Sequence, residues 1–170
     1  MNQDVHKHIL STAEAVGSDK LILTGMDLKE MVFDNEKLDG ANFNDAHLEK
    51  ASFKEASLCK TTFHSAHLNG SQFQGANLTE ADMFRAVLEE ANLEGATMTK
   101  AYLGSARFKN AKLNGCDLSE ANLHFADLRG ADLRGTRLKG ANLRYARYNK
   151  ETKFPADVDP TLLGAVLYLR

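Results

Sequence analysis

Four side chains in the first half of the sequence have the types and spacing that a metal site would need. Asp27, His47 and His67 follow one another at intervals of 20 residues, and His64 lies just before His67. Imidazole and carboxylate groups are zinc ligands, but they bind the ion only where they converge on it at about 2 Å. Polar side chains that simply point into solvent explain the same residues. We adopt the second explanation and predict no metal site.

The sequence has no pattern typical of catalysis. Its serine, histidine and aspartate residues form no nucleophile motif, so we predict a protein that is not an enzyme and has no cofactor.

The termini and the cysteines indicate a compartment. The first ten residues lack the basic start and apolar stretch of a secretory signal. No run approaches the roughly 18 apolar residues of a membrane span. Cys59 and Cys116 are the only cysteines, so no disulfide framework is expected. We expect a cytoplasmic protein without a membrane partner.

A five-residue repeat determines where the histidines, Asp27 and the two cysteines named above lie in the fold. Its third position is large and apolar in 26 consecutive repeats from Leu23 to Tyr148, with 17 Leu, 6 Phe, 2 Met and 1 Tyr. The position two residues earlier is Ala in 18 of the 26 repeats. A period of five fits neither a helix nor a strand. The pattern therefore predicts a coiled path with one structural step per repeat.

Glycine is concentrated at the last position of the repeat. Nine of the twelve glycines occupy the fifth position, and Asn35, Asp45 and Asn110 occupy it elsewhere. These residue types tolerate a positive φ, so a tight left-handed turn is expected there.

Segments such as ANLTE, ADLRG and ANLRY resemble the A(D/N)LXX signature of the pentapeptide-repeat family. The resemblance implies an all-β solenoid, a right-handed quadrilateral β-helix of about 6.5 coils with 20 residues per coil. It divides the chain into an N-terminal cap at 1–20, the β-helix at 21–150 and a C-terminal tail at 151–170. The tail resembles that of cyanobacterial members of the family.

A 20-residue coil sorts the core phenylalanines by face. Phe33, Phe53 and Phe73 fall on one face, and Phe43 and Phe63 fall on the opposite one. Large rings would then meet large rings across the core, which keeps the volume of each layer nearly constant.

Both ends of the coil are expected to carry helical caps, because an open end exposes core and strand edge. Residues 3–16 predict an amphipathic helix with Val5, Ile9, Ala13 and Val16 on one face. It should cover the extra apolar residues of the first coil, which are Leu21, Ile22, Met26, Met31 and Val32.

The C-terminal cap is predicted to start with Asp159 as N-cap and Pro160 at the first helical position. Its apolar residues are Leu162, Leu163, Val166, Leu167 and Leu169. They would cover either the last coil of the same chain or a second subunit, so a monomer and a homodimer both remain possible.

An outward cluster of aromatic and basic side chains is the most informative surface. On a 20-residue coil the same face carries Phe84, Arg85, Tyr102, His124, Phe125, Arg144 and Tyr145. Aromatic residues and arginine are enriched at the centres of protein interfaces. These seven residues are either a protein-interaction patch or the seat of the C-terminal tail.

The charge distribution separates two functions. Residues 1–100 have a balance of −7 and residues 101–170 a balance of +5, with a net charge of −2 overall. The overall net charge of −2 argues against direct nucleic-acid binding, which needs a basic surface for the phosphates. We predict a non-catalytic scaffold that binds another protein. The alternative, implied by the resemblance, is a DNA mimic that acts on DNA gyrase, and it requires an acidic rod.

Overall fold

In the computed structural model, residues 2–169 are described, apart from the side chains of residues 2–6, Glu14 and Val16, and the chain winds into a four-sided coil. Parallel β-bridges join each second-position residue to the one 20 residues later, from Ile22 with Asn42 to Asp127 with Arg147. The bridges recur every five residues, which places four on each coil. Backbone hydrogen bonds therefore run along the axis of the rod and hold each coil to the next.

The core confirms the sorting of the phenylalanines. Phe33 and Phe53 stack with ring centroids 5.0 Å apart, and Phe43 and Phe63 stack at 5.1 Å. The two columns meet edge to face, with 5.8 Å between the rings of Phe43 and Phe53. Stacking along the axis and T-shaped contact across it are the two arrangements that aromatic rings prefer.

Polar residues at the small inward position satisfy their own hydrogen bonds. The Thr61 hydroxyl donates to the Leu38 carbonyl at 2.8 Å, and the Cys116 thiol donates to the Leu93 carbonyl at 2.9 Å. Burial raises the pKa of Cys116 to about 12. This cysteine is thus a small core residue that stays protonated, and it is not a reactive thiol.

The corners confirm the left-handed turn at the fifth position. The φ angle there is positive for glycine and also for sixteen other residues. Asn or Asp at the second position supports the turn, because its side chain accepts the amide hydrogen two residues later, as Asn42 does from Asn44 at 2.9 Å. The D/N of the repeat signature therefore has a hydrogen-bonding role.

The N-terminal helix α1 spans Asn2–Val16, and a short 3-10 helix at Ser18–Lys20 leads into the first coil. Ile9 is buried with Leu21, Leu23 and Met31 in one core cluster. Among the predicted contact residues of α1, the side chains of Val5 and Val16 lie outside the described residues. No helix in the described part of the chain is long and apolar enough to cross a membrane.

The expectation that α1 covers all the extra apolar residues of the first coil is wrong. Ile22 is 72% exposed, Val32 is 53% exposed and Met26 is also exposed. For Ile22 and Val32 the reason is geometric: both occupy the second position of the repeat, which points outward, whereas α1 lies over the end of the core. Met26 occupies the small first position and lines a depression beside α1.

The predicted C-terminal helix is also wrong. Asp159 accepts hydrogen bonds from the Thr161 amide at 2.9 Å and its hydroxyl at 2.6 Å, which closes a local turn. Gly164 then adopts φ +82 and ends the turn. Strand β2 (Val166–Leu167) follows and pairs in parallel with β1 (Arg147–Tyr148). This pairing satisfies backbone groups at the open edge of the last coil, which a helix would have left free.

Candidate functional site

The aromatic face consists of the seven predicted residues Phe84, Arg85, Tyr102, His124, Phe125, Arg144 and Tyr145. They lie on one side of four successive coils, where parallel bridges join Asp82 to Tyr102, Tyr102 to Asn122 and Asn122 to Asn142. The repeat therefore brings together residues that are up to 61 positions apart in the sequence.

Phe125 and Tyr145 form the centre of the aromatic face. Their rings are stacked, with centroids 5.1 Å apart and an interplanar angle of 17°. His124 touches both rings, with its centroid 4.2 Å from that of Phe125 and 5.6 Å from that of Tyr145. Phe125 nevertheless remains 52% exposed and Tyr145 43% exposed. A ring cluster of this kind leaves a rigid apolar surface in contact with solvent.

The backbone at these two rings is in an unfavourable conformation. Phe125 and Tyr145 occupy fifth positions, with φ of 60° and 61°. They are the only aromatic residues with positive φ in the described part of the chain. Bulky side chains rarely adopt this region, which glycine enters without steric cost. The rings are thus held outward at positions where glycine would fit the fold better.

Phe84 and Tyr102 border a depression next to the stacked pair. Phe84 lies over Gly104, where an added Cβ would be only 3.1 Å from the Phe84 ring. Gly104 is therefore buried beneath Phe84. A depression of about 360 Å³ remains between the rings of Phe84, Tyr102 and Phe125. Tyr102 is 57% exposed at its rim.

Two arginines add positive charge to the aromatic face. The Arg85 guanidinium lies 5.1 Å from the Phe84 ring centroid, and that of Arg144 lies 5.0 Å from the Tyr145 centroid. Arg144 also donates a hydrogen bond to the Tyr145 hydroxyl oxygen at 3.1 Å. Cation–π contacts of this kind fix the long side chains beside the rings and leave their charge available to a partner.

The C-terminal tail does not lie across the aromatic face. The Tyr145 amide donates to the Gly164 carbonyl at 2.8 Å, and the Val166 amide donates to the Ala146 carbonyl at 2.8 Å. The tail thus continues the coil as one further layer above Tyr145. It meets the backbone of this corner and leaves the outer surfaces of the rings open.

The end of the tail lies beside a buried ion pair on another side of the rod. Asp127 is 4% exposed and accepts two hydrogen bonds from Arg129, at 2.8 and 2.5 Å. Burial opposes ionisation of Asp127, but the hydrogen bonds from Arg129 and the charges of Arg129 and Arg147 outweigh it and lower its pKa. The Arg129 guanidinium also lies 4.9 Å from the Tyr168 ring centroid.

Asp27, His47, His64 and His67, which we call the histidine ladder, do not all come together, and Glu49 joins two of them although the sequence did not single it out. His47, His67 and Glu49 bring their potential ligand atoms within 4.8 Å of one another. His64 does not join them, because its ring packs edge-on against Phe84 at 5.2 Å. Asp27 pairs with His47 in the backbone register but lies outside this cluster. Glu49 lies two residues after His47, and only the alternation of side chains along the strand could have indicated it.

Comparison with known proteins identifies the repeat. A family model described as pentapeptide repeats matches in eight copies over residues 37–75, 76–115 and 116–147. A search of curated proteins gave no match.

Three solved structures are similar to this chain, and the first two of them share its fold. HetL, a pentapeptide repeat protein involved in heterocyst differentiation regulation in the cyanobacterium Nostoc sp. strain PCC 7120, is 23% identical over 92% of this chain and 90% of its own, with a TM-score of 0.63. A pentapeptide repeat protein of the Arabidopsis thaliana thylakoid lumen is 31% identical over 58% of this chain and 69% of its own, with a TM-score of 0.57. Full-length QnrB1, a plasmid-mediated fluoroquinolone resistance protein, is 20% identical over 87% of this chain and 92% of its own, with a TM-score of 0.46.

Proteins with these repeats fold as right-handed quadrilateral β-helices. Two features of this structure agree with that fold: the bridges at intervals of 20 residues and the inward Leu and Phe columns. The family model also matches more than half of the sequence. The chain belongs to the pentapeptide repeat family.

Proposed function

We propose that this protein is a non-catalytic scaffold that binds another protein through the aromatic face. The observation that carries the proposal is the stacked pair Phe125 and Tyr145, which stays half exposed at turn positions where bulky residues are strained. Strain that does not serve the fold is often retained for function. Here it would hold a rigid aromatic surface ready for a partner.

The composition of the aromatic face suits a protein ligand. Tyr102, Phe125 and Tyr145 supply apolar area with few rotatable bonds, and Arg144 supplies a charge at its edge. Such residues dominate the energetics of protein interfaces. The adjacent depression of about 360 Å³ has the size to take one apolar side chain of a partner.

The face offers little to a catalytic mechanism. Ser105 and His124 are neighbours, but their only hydrogen bond among the described residues joins the Ser105 amide to the His124 carbonyl at 2.8 Å. A nucleophile would need a hydrogen bond from its side chain to the base.

The alternative function, a DNA mimic that acts on gyrase, requires an acidic rod. The last coils instead carry Arg134, Arg137 and Arg147 on their surface.

The C-terminal end offers a second mode of association, with another copy of the chain. Leu162 is 85% exposed and Leu169 is 88% exposed, and Val166 and Leu167 are also exposed on β2. The homodimer through an apolar end would cover these residues. Sedimentation equilibrium tests it: Leu162→Ser with Leu169→Ser should convert a dimer to a monomer, and a wild-type monomer at all concentrations would contradict it.

Site-specific photo-crosslinking tests the main proposal. A photoreactive phenylalanine replaces Tyr102 in one variant and Lys112, which is exposed on the opposite side of the rod, in a matched control. Crosslinking in a lysate of the source cells should give a defined protein adduct from Tyr102 and none from Lys112. Competition with unlabelled wild type should remove the adduct, whereas competition with Phe125→Gly/Tyr145→Gly should not. Equal crosslinking from both positions would reject the aromatic face as the binding site.

A further inference from the structure

Two histidines stack on the side of the coil next to the aromatic face. His47 and His67 are bridge partners in adjacent coils, and their ring centroids are 4.8 Å apart with an interplanar angle of 18°. The Nδ1 atom of His47 lies 3.7 Å from Oε1 of Glu49. The three side chains therefore present nitrogen and oxygen atoms within 4.8 Å of one another.

The backbone holds this arrangement on both strands. The His47 amide donates to the Met26 carbonyl at 2.9 Å, the His67 amide donates to the Ala46 carbonyl at 2.9 Å, and the His67 carbonyl accepts from Leu48 at 2.8 Å. Zinc binding would require the two rings to rotate out of their stacked arrangement, until one nitrogen of each lies 2.0–2.1 Å from the ion. Ligands on fixed strands need little ordering when an ion binds.

One oxygen of Glu49 lacks a partner. Oε2 is buried and accepts no hydrogen bond among the described residues. Within the same part of the chain, no lysine or arginine nitrogen lies within 4.0 Å of this carboxylate. A buried carboxylate oxygen without a donor is unfavourable unless a water or a cation satisfies it.

We infer that His47, His67 and Glu49 form a site for a divalent transition-metal ion, with Zn²⁺ as the best fit. Two imidazoles favour zinc over magnesium or calcium, which prefer oxygen ligands. Three protein ligands leave the fourth tetrahedral position open to solvent. Val87, the bridge partner of His67 in the next coil, limits the site on that side. The site is independent of the proposed protein binding, and it replaces our expectation that the histidine ladder binds no metal.

Calorimetric titration of the untagged protein with Zn²⁺ tests the site. All proteins carry Cys59→Ser, because Cys59 is a free and only half-buried thiol that could bind the ion itself. The background protein should bind one Zn²⁺ per chain, and 1 mM Mg²⁺ should not compete. His47→Gln, His67→Gln and Glu49→Gln should each weaken binding at least tenfold. His64→Gln is the matched control, and its affinity should stay within twofold.

A second readout locates the ion. In NMR spectra, the ring signals of His47 and His67 should shift together on addition of one equivalent of Zn²⁺, while those of His64 should not. Because these side chains point outward, the variants should keep the wild-type far-UV spectrum. The inference is overturned if the background protein shows no saturable binding. It is also overturned if the two histidine variants bind Zn²⁺ within twofold of that protein.

Discussion

Replacing both stacked rings with glycine should leave the stability of the protein almost unchanged. Phe125 and Tyr145 each adopt a left-handed conformation that costs a residue with a side chain about 1–2 kcal/mol. Phe125→Gly/Tyr145→Gly removes this cost at both corners. Two effects of the substitution lower the stability instead. The lost ring stack costs about 1 kcal/mol, and the extra freedom of glycine in the unfolded chain costs about 0.5–1 kcal/mol for each residue. The opposing effects nearly cancel.

The expected change in the free energy of unfolding is therefore within about 1 kcal/mol, or about 4 °C in Tm for a chain of this size. Thermal unfolding followed by far-UV circular dichroism measures it. Gly95→Ala calibrates the backbone cost, because φ is +69 at Gly95 and an added Cβ would touch nothing within 4 Å. This control should lose about 1 kcal/mol through backbone conformation alone.

A large effect of the double variant would refute this reasoning. If Phe125→Gly/Tyr145→Gly lost more than about 2 kcal/mol while Gly95→Ala behaved as expected, the rings would be holding the fold together. Faster proteolysis of residues 151–170 in the same variant would then show that the rings seat the tail.

Three further predictions concern the core, the N-terminal end and the buried ion pair. Leu78→Asp should unfold the protein, because an unpaired carboxylate in a packed layer costs several kcal/mol; a soluble variant with an unchanged far-UV spectrum would contradict the inward assignment. Deletion of residues 1–17 should expose Leu21 and Met31 and cause association in light scattering; a monodisperse truncated protein would show that α1 is not a cap. Asp127→Asn should cost about 2 kcal/mol at pH 7. Because the pKa of Asp127 is lowered by folding, its ionic contribution exists above the unfolded value of about 4 and is lost as pH falls below it. The stability gap between wild type and Asp127→Asn should therefore narrow in acid, and a gap independent of pH would reject the ionic explanation.

The strict repeat made the core predictable from sequence. Once a coil of 20 residues is assumed, Phe33 and Phe53 must lie on one face and Phe43 and Phe63 on the opposite one, and the ring stacks are found there. The same arithmetic gathered the seven residues of the aromatic face. Periodicity fixes which side chains share a face, because every coil repeats the same geometry.

Contacts that depend on shape at the ends could not be predicted in this way. Asp159 and Pro160 have the types of a helix start, but the unpaired edge of β1 favoured a strand over a helix. Ile22 and Val32 looked like contacts of α1, yet the repeat turns them outward whatever their polarity. Glu49 escaped notice because a single acidic residue at an outward position is common in such a chain.

The affinity of the aromatic face for its protein partner tests the central claim most directly. The partner identified by crosslinking from Tyr102 is titrated with wild type, with Tyr102→Ala/Phe125→Gly and with the opposite-side control Glu94→Ala/Lys112→Ala. If these rings are binding hot spots, the double aromatic variant should lose at least 30-fold in affinity, about 2 kcal/mol, while the control stays within twofold. Equal affinity of the aromatic variant and wild type, with both proteins folded, would contradict the account.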